Sequence, residues 1–241
     1  MTRSHRLASI AAAAALLFSS AAHASDPDEL RAERDQANTM NGMAEFGVGY
    51  LTLPGAQVCI ESQVGCGKGD SSLALSAWPM FRMGNFAAGA GVLLGVTSSA
   101  NAPHNEPPDV RRDHSRRYFS LEAAGRYFIP IGPRFEGFLG VTTGLIVLND
   151  FFLVQEALSG YALVGPRASE LLTEGFAIGA MGGLHYEVAE HWVIGAWGRY
   201  SNWFMPDNPV HTPFGDEASL KGRVTAVDVT LTAAFKSRLI F

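Results

Sequence analysis

Ser201 is where hydrolytic chemistry would have to start in this sequence. It sits in the stretch Arg199-Tyr200-Ser201-Asn202. A serine becomes a nucleophile only with a base within hydrogen-bond reach. The residue two positions before it, Arg199, is permanently protonated and cannot accept the proton. His185 and His191 are the nearest histidines, and spacing alone does not bring either one to Ser201. No catalytic residue is therefore assigned. Cys59 and Cys66 are the two cysteines, seven positions apart, with no Cys-x-x-Cys motif and no adjacent histidine. They read as a disulfide stapling a small loop rather than a metal or redox pair. Arg111, Arg112, Arg116 and Arg117 lie together with His104 and His114. Guanidinium forks of this kind suit bidentate phosphate recognition. The neighbouring His104, Asp109, Asp113 and His114 show no metal-ligand spacing, so neither a metal nor a cofactor is expected. A last group is spread along the chain. The acids Glu45, Glu122, Glu136, Glu187 and Asp228 are matched by the bases Arg82, Arg126, Arg199, Lys236 and Arg238. Each of these charges stands in a segment that alternates with period two.

Those segments are the elements that must position the candidates. The chain has 241 residues, 47% hydrophobic and only 17% charged. Its formal charge of −5 gives no basic field, which argues against a nucleic-acid partner. Mean hydropathy is positive, yet beyond the extreme N-terminus no apolar run is long enough for a spanning helix. The hydrophobicity is instead spread at period two, the signature of strands. Eight such segments are predicted, at 44–53, 71–82, 86–97, 118–129, 134–148, 175–188, 192–204 and 223–241. One face carries large apolar side chains, as in Phe46, Val48 and Tyr50 or Val227, Val229 and Leu231. The other carries glycine, alanine and the isolated charges.

The connections add a second pattern. Met83-Gly84-Asn85, Pro130-Ile131-Gly132-Pro133 and Ala189-Glu190-His191 are of tight-turn length. The connections 54–70, 98–117, 149–174 and 205–222 are long, so short and long alternate. The 149–174 connection is unusually apolar. It reads as a hairpin turning at Ser159-Gly160, as a lid or short helix, or as a further strand pair that would make ten. Residues 1–24 read as a secretory signal peptide: Arg3 and Arg6, an alanine-rich apolar stretch, then Ala22-His23-Ala24. Residues 25–43 read as a short polar segment ahead of a barrel over 44–241.

Short turns at one end and long loops at the other are expected of a transmembrane barrel. In lipid only helices and closed barrels satisfy their backbone polar groups. Aromatics near segment ends, among them Phe86, Tyr127, Phe135, Trp192 and Phe204, suit the two lipid interfaces. Eight strands leave an interior just wide enough for side chains. Small residues alternating with opposite charges fit it, and the paired charges would plug the lumen. A soluble exported barrel or sandwich, with the apolar face inward, is the alternative.

The terminal segment places Phe235, Leu239 and Phe241 in phase. This looks like the signal by which barrel assembly machinery recognises bacterial outer-membrane proteins. With the alternating connections and the signal peptide, the chain resembles the small eight-stranded outer-membrane barrels of the OmpA transmembrane-domain, opacity-protein-like and OmpW-like class. The resemblance covers 44–241 and implies an antiparallel up-and-down barrel, a monomer, in a Gram-negative outer membrane. It implies lipid and lipopolysaccharide as surroundings, with the arginines at 111, 112, 116 and 117 as contacts for lipopolysaccharide phosphates. A non-enzymatic structural or interfacial role is expected, involving lipopolysaccharide contact or a small hydrophobic ligand. Arg199-Tyr200-Ser201-Asn202 also looks partly like the His-x-Ser-Asn stretch of lipid A deacylases, with arginine where that family has its base. A lipid A-modifying enzyme is the alternative this resemblance carries.

Overall fold

Alternation in sequence becomes inside and outside once the sheet closes. The computed structural model describes residues 40–56, 69–96, 110–157, 168–208 and 218–238. The expected signal peptide, Cys59, Cys66, Leu239 and Phe241 lie outside the described residues. Eight antiparallel strands form one closed barrel in which each pairs with its neighbours in chain order, and β8 closes on β1. They are β1 (Met40–Leu53), β2 (Asp70–Met83), β3 (Phe86–Val96), β4 (Val110–Pro130), β5 (Phe135–Ala157), β6 (Ala168–Ala189), β7 (Trp192–Phe204) and β8 (Arg223–Arg238). The strand count is eight, not ten.

The strands pass in two lengths. β4, β5 and β6 run 21, 23 and 22 residues, and the other five run 11 to 16. One stretch read as loop in the sequence is therefore strand, and of the readings of the 149–174 connection its described parts follow the hairpin. Residues 110–117 extend β4, and 149–157 with 168–174 extend the β5–β6 hairpin. Polar residues hid the first extension, since period two marks a strand only where one face is apolar. Backbone pairing with β5 holds it as strand regardless. β1 likewise starts at Met40, because Asn41 to Met43 pair with both β2 and β8.

The tight β2–β3 turn depends on Gly84, whose φ of 58° lies in the left-handed region open to glycine. The other short turns lie at the same end of the barrel. The outer surface between the two ends is an apolar belt. Along β2 it runs from Leu73 through Leu75 and Phe81 to Met83, all exposed. That stretch matches the roughly 9–11 tilted residues a strand needs to cross a bilayer. Aromatics border the belt. Phe135 and Tyr186 pack at 4.8 Å and Trp192 and Phe235 at 5.4 Å at the short-turn end. Tyr50, Phe119, Phe176 and Phe204 stand exposed toward the other end. The buried side chains are inside the ring, so the apolar face points outward, opposite to a soluble barrel.

Candidate functional site

The candidate site is the lumen, and its phase follows from the belt. On every strand the residues alternating with the belt point inward. At the short-turn end Arg82 donates to both oxygens of Glu136, at 2.7 and 2.8 Å. Lys236 Nζ lies 3.7 Å from Glu136 and 3.6 Å from Glu187. The Arg82 guanidinium also stacks 4.3 Å from the Phe128 ring centroid.

Deeper in, Glu45 is fully buried and is met by three donors. Arg126 donates to both its oxygens at 3.0 and 2.9 Å. His185 Nε2 donates at 3.0 Å and Trp197 Nε1 at 3.2 Å. A donating Nε2–H fixes the neutral tautomer of His185 if it carries one proton. Around this carboxylate lie Trp78, Phe128, Phe138 and Trp197. Arg126 sits over the Phe138 ring at 4.8 Å. The second buried group is centred on Arg199. Its Nε donates to Asp228 at 2.8 Å and its Nη1 to Glu122 at 2.6 Å. Ser120 Oγ donates to the other oxygen of Glu122 at 2.6 Å. These bidentate and charge-assisted contacts compensate for taking the ions out of water.

The charges singled out in the sequence thus fall into three groups: Arg82 with Glu136, Lys236 and Glu187; Glu45 with Arg126; and Arg199 with Glu122 and Asp228. The Arg238 side chain lies outside what is described.

Two further carboxylates occupy the long-loop end. Asp70 accepts from the Tyr118 hydroxyl and lies 3.3 Å from Arg116 Nε. Asp150 accepts from His114 Nε2 at 2.6 Å and from Ser219. Sequence reasoning assigned none of these contacts, because it placed all four of Asp70, His114, Arg116 and Asp150 in loops. It also missed the aromatic filling. Trp78, Trp197 and Trp203 lie in the inward phase of their strands, and following that phase past the small residues would have found them.

The arginine cluster needs correction. Arg116 is only 1% exposed and points into the lumen, so it is not a phosphate contact on the rim. It shares the inward phase with His114, Tyr118 and Ser120, and strand geometry leaves it no choice. Arg117 is in the opposite phase and exposed. Arg111 and Arg112 lie on β4, and their side chains are outside what is described.

Ser201 is buried in the barrel wall, opposite Gly179 on β6 and Ala226 on β8. Arg199 is held by its two carboxylates and His185 by Glu45. His191 lies in the β6–β7 turn, ten positions from Ser201 along β7 and so roughly 33 Å away. Neither histidine is placed as a base for the Ser201 hydroxyl.

A closed eight-stranded ring, an outward apolar belt bordered by aromatics and an interior of paired ions define a class: the small outer-membrane β-barrel. A solved structure of that class shares the fold. Neisserial surface protein A is similar with a TM-score of 0.51 at 11% identity, over 81% of this chain and 96% of that one. A major outer membrane protein from Thermus thermophilus gives 0.49 at 10% identity, over 83% and all 100% of its chain. The attachment invasion locus protein of Yersinia pestis gives 0.47 at 13% identity, over 83% and 99%. At 11% identity the likeness to Neisserial surface protein A is one of fold alone. No family model and no curated protein matches the sequence. The chain has the fold of the outer-membrane β-barrels.

Proposed function

We propose that this barrel is a closed, non-enzymatic structural element of the outer membrane whose working surface is the raised wall of β4, β5 and β6. The observation that carries the reading is the difference in strand length. These three strands exceed the others by five or more residues each, all at the long-loop end. The excess lifts the wall above the belt by roughly 15–20 Å at ordinary strand rise and tilt. That is the depth at which lipopolysaccharide carries its phosphates and sugars. The outer face of the wall mixes exposed Phe151, Leu153 and Leu172 with Arg117, Glu170 and Glu174. Apolar side chains there suit acyl chains and sugar faces, and Arg117 suits a phosphate. The filled lumen supports a scaffold rather than a pore.

The test is to reconstitute the mature protein in planar bilayers and to measure lipopolysaccharide retained on purification. The expected results are no steady conductance and retained lipopolysaccharide, reduced severalfold in Arg117→Glu. Open-channel currents would overturn the closed reading. Equal retention by Arg117→Glu would overturn the contact. Release of fatty acid from lipopolysaccharide, lost in Ser201→Ala, would overturn the non-enzymatic reading.

A further inference from the structure

Between β7 and β8, residues 218–222 lie outside the barrel's hydrogen-bonded ladder, yet part of the segment is inside the barrel. Leu220 is 1% exposed and Ala218 is buried. Both ends of this stretch are anchored differently. At its C-terminal end Met205 N donates to Gly222 O at 2.8 Å, and Gly222 N donates to Pro206 O at 3.2 Å. Gly222 has a φ of 65°, a conformation that side-chain-bearing residues seldom take. This gives the chain a sharp bend where it rejoins β8.

The other anchor is on a different wall. Ser219 N donates to Asp150 Oδ2 at 2.9 Å, and Ser219 Oγ donates to Asp150 Oδ1 at 2.7 Å. Asp150 is on β5, separated from the β7–β8 hairpin by β6. The segment therefore reaches across the long-loop mouth instead of lying along its own hairpin. Leu220 enters an apolar cluster to which all eight strands contribute, with Leu53, Tyr118, Leu148 and Trp203 among its members. Asp150 is fixed from behind. His114 Nε2 donates to Asp150 Oδ1 at 2.6 Å, and the His114 ring stacks on Phe152 with centroids 4.4 Å apart and planes 8° from parallel.

We propose that residues 218–222 form a latch over the long-loop end of the lumen, with Asp150 as its catch, Gly222 as its pivot and Leu220 as the bolt. Among the described residues, the ties of this segment to the far wall converge on a single carboxylate, Asp150. Releasing them leaves the strand ladder intact, and His114 keeps the carboxylate partnered once Ser219 has gone. A permanent plug would have its ties spread over several strands. Opening exposes the apolar upper lumen, with Trp203 and Tyr118 in its wall. His114 is a positioning residue: it acts by holding the catch.

The experiment uses the full barrel, folded in vesicles, with Cys59 and Cys66 changed to serine. Leu220→Cys is labelled with a membrane-impermeant maleimide, and Asn208→Cys, at an exposed position, gives the open reference rate. The latch predicts that Leu220→Cys reacts at least tenfold more slowly than the reference. Adding Asp150→Ala should raise its rate about tenfold, equivalent to about 1.4 kcal/mol. Adding Ser219→Ala should give a smaller rise, because the backbone N–H still donates. That variant also keeps the test alive if Asp150→Ala fails to fold. The reference rate and the unboiled gel mobility should not change. Labelling of Leu220→Cys at the reference rate in the otherwise intact barrel would overturn closure. An unchanged slow rate in both Asp150→Ala and Ser219→Ala would overturn the catch, leaving a fixed plug.

Discussion

Replacing Glu45 with alanine should destabilise this barrel more than any other single charge removal in the lumen. The carboxylate is fully buried and receives both nitrogens of the Arg126 fork, His185 and Trp197. Its loss leaves the Arg126 guanidinium inside the protein with no opposing charge. Breaking a buried pair from one side costs about 3–5 kcal/mol. Two further donors lose their acceptor, so the expected loss for Glu45→Ala is about 4–5 kcal/mol, in the upper part of that range. This is a large share of a typical folding free energy of about 5–15 kcal/mol. The opposite expectation holds when both charges go. Glu45→Leu with Arg126→Leu removes the desolvation cost along with the attraction, so the double variant should recover to within about 2 kcal/mol of the parent. The assay is urea unfolding in phospholipid vesicles, followed by tryptophan fluorescence and by mobility of unboiled samples on gels. A loss below about 1 kcal/mol for Glu45→Ala would refute the buried-pair argument. So would a double variant no more stable than the single one.

Three other outcomes follow from the same geometry. Glu136→Ala removes a bidentate partner of Arg82 at the short-turn mouth, where the Glu136 side chain keeps 25% of its exposure; solvent screening limits its cost to about 1 kcal/mol in the same urea titration. Val141→Arg places a charge on the outer belt at a position 65% exposed to lipid, and should cost about 2–4 kcal/mol and lower the yield of folding into vesicles. Gly91→Ala sets a methyl group against the six-membered ring of Trp78, with Trp78 Cζ3 2.8 Å from the new carbon. The ring must shift, at a cost of about 1–3 kcal/mol, read as a lower urea midpoint and an altered tryptophan emission.

Much of the barrel was legible because a strand repeats every two residues and a membrane has two interfaces. Phe46, Val48 and Tyr50 against Glu45 and Gly47 is enough to assign both faces of β1, and the structure keeps that assignment. The turn at Met83-Gly84-Asn85 was equally plain, since glycine permits its backbone. Legibility failed where the membrane ends. Above the belt both faces of a strand meet polar surroundings, so the polar upper part of β4 looked like loop. Arg116 and Arg117 show the consequence: adjacent in sequence and alike in charge, they point to opposite sides of one strand, one locked on Asp70 and one in the open.

The sequence by itself determined that the chain forms strands with one apolar and one charged face, because these are local consequences of side-chain alternation; that the apolar face turns outward was decided by the closed ring. Which charge meets which was decided only by closure of the ring. Glu45 and Arg126 are 81 positions apart, and Glu122 and Arg199 are 77 apart. No period in the sequence relates such positions. Strand tilt and register bring them to one level of the lumen, and burial there permits no ion to remain unpaired without a cost of several kcal/mol.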